Sequence, residues 1–182
     1  WAVEQWNRLG QPQHISLVEI GPGRGTLMSD LLRIARLIPD FLKSLSVHLI
    51  ETSPALRKCQ KEKLADYKIE RHDSVETLPQ ESPVILIGNE FLDALPIQQF
   101  AFKDGKWFER MIGIGEMDKL AFGLSATPVS LNLQQAKEHD VVELSPPREA
   151  FTHKLCECLK AQGGAALLID YGHDASAIGD TL

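Results

Sequence analysis

The sequence predicts an α/β fold, with a mostly parallel sheet covered by helices on both faces and a β-rich insertion. Strand and helix signals alternate along the 182 residues, which is the pattern of repeated strand-helix-strand units. The run Val84–Gly88 is continuously apolar, as expected for a strand buried on both faces. This length suits one sizeable core, so we expect a single domain over residues 1–182, with the insertion at about 97–144.

The N-terminal residues have the pattern of the end of an amphipathic helix, with Val3 and Trp6 facing inward. A strand over His14–Ile20 follows, and helical spacing of apolar residues then predicts a helix from Thr26 to Ile38. Proline cannot continue a helix interior, so Pro39 ends this one. The apolar positions of that helix are Leu27, Leu31, Ile34, Ala35 and Ile38.

A second strand is predicted over Val47–Glu51. Ser53 is then a helix N-cap and Pro54 fits the first turn, so a helix begins there and runs to about Tyr67. The segment "KIERH", residues 68–72, is a third and weaker strand candidate, before the fourth strand at Val84–Gly88. The residues expected to face inward on the helix are Leu56, Cys59 and Leu64.

The pattern becomes β-rich between Ile97 and Leu124. Two extended stretches flank Asp104-Gly105, a pair suited to a tight hairpin turn, and "KLAFGL" adds a third strand. After the insertion, Ser145 and Pro146 begin a capped helix that Gly163-Gly164 closes. A fifth buried strand, "AALLIDYG", completes the predicted order.

Composition excludes several classes of function. The formal net charge is -6, and no cluster of Lys and Arg stands out, so we expect no nucleic-acid partner. No apolar run approaches the roughly 18 residues that a membrane span needs. The three cysteines, Cys59, Cys156 and Cys158, lack the spacing of a metal site, so we expect reduced thiols and no metal.

A glycine-rich stretch, "LVEIGPGRGTL", directly follows the first strand. In parallel α/β sheets ligands bind beyond the carboxyl ends of the strands, and Gly21, Gly23 and Gly25 lie at such an end. A phosphate-binding P-loop is excluded because Thr26, and no lysine, follows the last glycine. A dinucleotide motif fits weakly, since its third glycine falls on Thr26.

The spacing Glu19-x-Gly21-x-Gly23-x-Gly25 instead resembles the first motif of class I S-adenosylmethionine-dependent methyltransferases. That resemblance implies that glycines let the backbone approach the cofactor's amino-acid portion and that Glu19 organises the loop or binds the amino group. It also implies that Glu51, after the second strand, accepts both ribose hydroxyls; the alternative is a solvated strand-end glutamate. Asp73 either meets the adenine amino group or forms a turn.

Four motifs together resemble the MidA-like family of these methyltransferases, which includes the mitochondrial complex I assembly methyltransferase and bacterial relatives. They are "VEIGPGRGTLMSDLLR", "VHLIETSPALRKCQ", "GNEFLDALPIQQF" and "LLIDYGH". The resemblance implies a Rossmann-like fold, S-adenosyl-L-methionine as cofactor, and methylation of a protein arginine, on a respiratory complex I subunit in the mitochondrial case. Family members extend beyond both ends of this pattern, so we expect a partial domain that lacks terminal elements.

The stretch "NEFLDALP" follows the fourth strand at the ligand-binding edge. A helical turn there would place Glu90 and Asp93 on one face, where two carboxylates suit an arginine acceptor, so these are the candidate catalytic residues. Asn89 is assigned to the cofactor side. The alternative is that all three cap a short turn. Asp170 and Tyr171 either line the substrate side or, for Asp170, brace a neighbouring loop.

A competing hypothesis is a non-catalytic assembly factor or interaction module that binds cofactor or partner without methyl transfer. The β-rich insertion suits a partner platform under either hypothesis. A bacterial member of the family would lie in the cytoplasm and a eukaryotic one in the mitochondrial matrix. The sequence does not fix the oligomeric state.

Overall fold

The computed structural model describes residues 1–131, 136–172 and 178–179. The chain forms two compact units, one of Trp1–Ala94 with Ala150–Tyr171 and one of Leu95–Glu149 with the described residues from Gly172 onward. The helices are α1 (Ala2–Arg8), α2 (Thr26–Ala35), α3 (Pro39–Ser44), α4 (Pro54–Lys63) and α5 (Pro146–Gln162). The strands are β1 (Ile15–Ile20), β2 (Leu45–Ile50), β3 (Ile69–His72), β4 (Val84–Asn89), β5 (Gln98–Lys103), β6 (Lys106–Ile114), β7 (Leu120–Leu124), β8 (Val141–Leu144) and β9 (Gly164–Ile169).

The first unit contains a five-stranded sheet in the order β3-β2-β1-β4-β9, and every described pairing in it is parallel. All six residues of β1 are buried. One apolar cluster packs Trp6, Met28 and Phe41 of α1, α2 and α3 against the sheet, and a second includes Leu155 of α5. This arrangement confirms the predicted Rossmann-like sheet, including the weak strand candidate that became β3.

Two predicted helices differ from the observed ones in length and in their buried face. The helix expected to reach Ile38 ends at Ala35, and Pro39 begins α3 instead of only ending the run, because proline is tolerated in a first helical turn. The buried face of α2 is Met28, Leu32 and Ala35, whereas the predicted Leu27 and Ile34 are 40% and 52% exposed.

Helix α4 begins as predicted, since the Ser53 hydroxyl accepts a hydrogen bond from the backbone N–H of Leu56 at 3.4 Å. It ends at Lys63, earlier than expected. Cys59 is exposed, contrary to its predicted inward position, and the polar residue Gln60 is fully buried in its place. A hydrogen-bonding role for Gln60, described below, explains why the helix turns a polar side chain inward.

The second unit contains a four-stranded antiparallel sheet in the order β7-β6-β5-β8, which confirms the β-rich character of the insertion. Asp104 and Gly105 both have positive φ, 49° and 75°, as a two-residue hairpin turn requires. The sequence did not predict β8, whose Val142 packs with Phe100 and Trp107 in a small core. Within the described residues no helix is both long and apolar enough to cross a membrane, and His173 of the fourth motif lies outside them.

Candidate functional site

The glycine loop lies at the carboxyl end of β1, and its three glycines all adopt the left-handed region. Their φ values are 62° for Gly21, 52° for Gly23 and 75° for Gly25, a conformation that L side chains rarely take. A Cβ at Gly21 would lie 3.0 Å from Cδ2 of Phe91, whereas one at Gly23 would meet no atom within 4 Å. The backbone at Gly23 therefore faces open space that a ligand can enter.

Glu19 is buried on β1, two residues before the loop, with 4% of its surface exposed. Burial raises the pKa of its carboxyl to about 7, and a hydrogen bond from the backbone N–H of Met28 lowers it in part. Its Oε2 has no hydrogen-bond partner among the described residues. Glu19 thus joins β1 to the first turn of α2 across the glycine loop, as a residue that organises the loop.

Glu51 directly follows β2 and is 9% exposed. Its Oε1 accepts a hydrogen bond from the backbone N–H of Ser53 at 2.9 Å, and its Oε2 accepts one from Nε2 of Gln60 at 3.3 Å. Each carboxylate oxygen has two lone pairs, so both retain capacity for a hydroxyl. This anchored carboxylate does not match the alternative of a freely solvated strand-end glutamate.

Gln60 is a site residue that the sequence pattern did not reveal. Its Nε2 donates to the carbonyl oxygen of Gly23 at 2.8 Å as well as to Glu51, and a Cβ at Gly25 would lie 3.4 Å from its Cγ. One buried amide therefore connects the glycine loop to the carboxylate after β2. The signal in the sequence was the four-residue spacing of Leu56 and Gln60 on α4 and of Leu64, which caps the helix.

Asp73 follows β3 and is paired with Arg57 of α4. The Arg57 guanidinium donates to Oδ1 of Asp73 at 2.7 Å, to the carbonyl oxygen of His72 at 3.1 Å and to that of Glu51 at 2.6 Å. The Asp73 side chain is 78% exposed and so accessible to a ligand. Arg57, also missed, holds the ends of β2 and β3 at the same edge as the glycine loop.

The segment after β4 forms turns over residues 91–94 in place of a helix. Asn89 ends the strand and is exposed, while Glu90 has a left-handed φ of 55° and donates its N–H to the carbonyl oxygen of Ile169 at 2.7 Å. A left-handed residue does not continue a right-handed helical turn. The expected helical face shared by Glu90 and Asp93 is therefore wrong, although both follow β4 at the predicted edge.

Asp170 braces this turn from the end of β9. Its two carboxylate oxygens accept hydrogen bonds from the backbone N–H groups of Leu92, at 3.3 Å, and Asp93, at 3.1 Å. Phe91 of the turn contacts Phe151 of α5 with ring centroids 4.9 Å apart and lies over Gly21. The turn is thus fixed against the glycine loop through Phe91, another residue that sequence reasoning missed, while Tyr171 is 79% exposed.

The site so assembled lies on one sheet edge and combines an open glycine backbone with anchored carboxylates. Glu19 and Glu51 are buried, and Asp170 braces the turn at residues 91–94, while the exposed acids Asp73, Glu90 and Asp93 follow β3 and β4. Such an edge favours a ligand that has hydroxyl and amino groups. Its negative groups also favour a cationic second substrate.

Comparisons with known proteins find similar sequences and similar folds. The family model described as an S-adenosyl-L-methionine-dependent methyltransferase matches residues 1–182. The chain is similar to "Protein arginine methyltransferase NDUFAF7, mitochondrial" of Xenopus tropicalis, at 36% identity over 95% of this chain and 47% of the relative. The mouse protein of that name is 32% identical over 100% of this chain and 48% of the relative.

Two solved structures from Burkholderia thailandensis share the fold. One is an uncharacterized COG1565 superfamily protein with a TM-score of 0.74 and 23% identity, over 96% of this chain and 47% of that one. The other is a COG1565 superfamily member bound to S-adenosyl-homocysteine, with a TM-score of 0.68 and 22% identity over 94% of this chain and 45% of that one. The chain spans about half the length of the curated relatives that it matches.

Proposed function

Because the chain belongs to the family of S-adenosyl-L-methionine-dependent methyltransferases whose model spans it, we propose that it binds this cofactor and methylates an arginine of a protein substrate. The observation that carries the proposal is the anchored pair formed by the glycine loop and Glu51. Gln60 joins them through hydrogen bonds of 2.8 Å to Gly23 and 3.3 Å to Glu51. This pairing fixes two cofactor-binding segments relative to one another before any ligand arrives.

The residues present fit the cofactor. The open space beside Gly23 accommodates the amino-acid portion of the cofactor. Gly21 and Gly25 shape the loop, and Glu19 supports the loop through its hydrogen bond to the backbone of Met28. Glu51 accepts the ribose hydroxyls with lone pairs that its internal partners leave available. Asp73 and Asn89 lie at the ends of β3 and β4, where we assign them to the adenine portion and its surroundings.

The bound cofactor supplies a methyl group activated by its sulfonium, so the chain's own task is to orient the acceptor. We assign that task to Glu90 and Asp93, which follow β4 at the same edge. A guanidinium is held in one orientation by paired hydrogen bonds to carboxylates. The Asp170 carboxylate, 3.1 Å from the Asp93 amide, positions the backbone from which the Asp93 side chain extends.

The acceptor assignment is tested by Asp93→Asn in the full chain, with Asp40→Asn as control, since Asp40 is an exposed aspartate of α3. We expect Asp93→Asn to bind S-adenosyl-L-methionine within about twofold of the wild type but to transfer methyl to an arginine-containing protein at least about tenfold more slowly. Asp40→Asn is expected to change neither. If Asp93→Asn loses cofactor binding or unfolds, Asp93 is a structural cap; binding without any transfer by the wild type would favour the non-catalytic assembly factor.

The names of the relatives support the class of substrate and, for eukaryotic members, the compartment. The similar fish, frog and mammalian proteins are named mitochondrial protein arginine methyltransferases. If the source of this chain is eukaryotic, we propose that the protein lies in the mitochondrial matrix. For a bacterial source, the cytoplasm stays a prediction. A respiratory complex I subunit as the substrate stays a prediction of the family resemblance.

A further inference from the structure

A second polar cluster lies within the sheet of the first unit, between β2 and β3. His48 of β2 is in register with Glu70 of β3, and Ile50 is in register with His72. Side chains two residues apart on a strand share a face, so His48, Glu70 and His72 all point to one side of the sheet. None of the three belongs to the glycine loop or to the turn at residues 91–94.

The three side chains converge at distances that suit one ion. Within the described residues, one ligand atom from each lies within 4.8 Å of the others. Nδ1 of His48 is 3.0 Å from Nε2 of His72 and 3.8 Å from Oε2 of Glu70. Two ligands of a tetrahedral zinc ion lie about 3.3 Å apart, given zinc bonds of about 2.0 to 2.1 Å, so shifts of a few tenths of an ångström suffice.

The contacts of His72 direct a lone pair into the cluster. The Thr77 hydroxyl donates to the carbonyl oxygen of Ser74 at 2.8 Å, so its oxygen accepts from Nδ1–H of His72 at 3.2 Å. In the neutral ring Nε2 then carries the lone pair and faces His48. A hydrogen bond from the second ring nitrogen is the usual way in which proteins orient a metal-binding histidine.

His48 has no exposed surface. Its Nε2 has no partner among the described residues, so the polar contacts that the structure describes for this side chain lie on the Nδ1 side, within the cluster. Burial and the neighbouring His72 lower its pKa, against a smaller opposite effect of Glu70. The nitrogen of this ring that faces Nε2 of His72 and the Glu70 carboxylate is Nδ1, and neutral imidazole is the form that binds metals.

We propose that His48, Glu70 and His72 bind one divalent transition-metal ion, with Zn²⁺ as the best fit to two imidazoles and a carboxylate. Glu70 is 47% exposed, which leaves solvent to supply a fourth ligand. The ion fastens β3, a four-residue strand at the end of the described sheet order, to the buried β2. Since Asp73 follows β3 directly, the metal also steadies one corner of the cofactor site.

The test is a titration of the metal-free full chain with Zn²⁺, followed by calorimetry and thermal unfolding. We expect one zinc per chain and a higher unfolding temperature with zinc, because a ligand that binds the folded state stabilises it. His72→Ala should lower the zinc affinity at least about a hundredfold, since it removes one of two imidazole ligands, and Glu70→Gln at least about tenfold. Circular dichroism verifies that both variants fold.

A matched control is His153→Ala, since His153 and Glu157 form an exposed histidine-carboxylate pair on α5 with 3.6 Å between Nδ1 and Oε2. This variant should bind zinc like the wild type. Substitution of Co²⁺ for Zn²⁺ distinguishes imidazole and carboxylate ligands from cysteine thiolates by the absorption spectrum. We expect the absorption of tetrahedral cobalt without a thiolate charge-transfer band. Equal zinc affinity of wild type and His72→Ala, or a thiolate band from Cys59, Cys156 or Cys158, contradicts the proposal and leaves His48 and His72 as a hydrogen-bonded pair.

Discussion

The side-chain amide of Gln60 donates a hydrogen bond to the carbonyl oxygen of Gly23 at 2.8 Å. The same nitrogen lies 3.3 Å from Oε2 of Glu51, so one buried side chain sets the separation of the two segments that we propose contact the cofactor. Gln60 is fully buried, and nothing from solvent replaces these bonds if they are lost. The positions of the glycine loop and of Glu51 are therefore coupled.

Replacing Gln60 with Leu should weaken cofactor binding without contacting the cofactor. Leucine fills similar space but leaves the Gly23 carbonyl and one Glu51 oxygen without their donor, at a cost of about 1 kcal/mol or roughly fivefold in affinity. Calorimetry with S-adenosyl-L-methionine measures it. The control is Lys61→Leu, which places leucine at an exposed neighbouring position of α4 and should leave the cofactor affinity unchanged. An equal loss of affinity in both variants would point to general damage to the helix.

Replacing Gly23 with Val should abolish cofactor binding while the fold survives. The side chain would enter the open space beside the loop, and a β-branched residue is strained at a φ of 52°. Gly105→Val is the matched control, because Gly105 also has positive φ, 75°, and a Cβ added there would meet no atom within 4 Å, but it lies in the hairpin of the second unit. Retained affinity in Gly23→Val would remove the loop from the site.

Replacing Glu51 with Gln should weaken binding by about 1 to 3 kcal/mol, the range for a hydrogen-bond partner that is left imperfectly paired. The amide also turns a donor toward the N–H groups of Ser53 or Gln60, which now bind the carboxylate at 2.9 Å and 3.3 Å. Competition binding with S-adenosyl-homocysteine measures the loss. The control is Glu62→Gln, the same substitution at an exposed glutamate of α4. Equal affinity of Glu51→Gln and the wild type for the cofactor would exclude a ribose contact.

Glu19 should make the stability of the cofactor-free protein depend on pH. Its folded-state pKa is raised from 4.5 to about 7, so between these values the folded chain binds more protons than the unfolded chain. Stability from this group is therefore complete below about pH 4.5 and is lost as pH rises through about 7, by about 3 kcal/mol at most. Urea unfolding between pH 5 and 8 should show this fall in the wild type and a flatter profile in Glu19→Gln; parallel profiles would argue against the buried, protonated state.

The sequence predicted the sheet and the position of the glycine loop because both depend on local signals. Apolar runs identified β1, β2 and β4, and the glycine spacing placed the loop at the end of β1, where the structure has it. Gln60 was missed because its partner Gly23 is 37 residues away in the sequence. Bracing of a neighbouring loop by Asp170 was one of two alternatives, and the sequence could not choose between them because its partner Asp93 is 77 residues away.

Where periodicity was the sole guide, the prediction was less accurate. Helix α2 carries two apolar stripes, and its spacing does not reveal that Met28 and Leu32 pack inward while Leu27 and Ile34 stay exposed. The composition around Glu90 was compatible with a helical turn. The left-handed backbone conformation of Glu90 goes with a hydrogen bond from its N–H to the carbonyl oxygen of Ile169, a contact between residues distant in sequence. The expectation of no metal rested on cysteine spacing, whereas His48 and His72 meet only after β2 and β3 pair.

Calorimetry with S-adenosyl-L-methionine on the full chain decides whether this sheet edge binds the cofactor through the glycine loop. We expect one S-adenosyl-L-methionine bound per chain, loss of that binding in Gly23→Val, and no competition by NADH. Absence of binding to the folded wild-type chain, or tight binding of NADH in its place, would show that the edge is not a methyltransferase cofactor site.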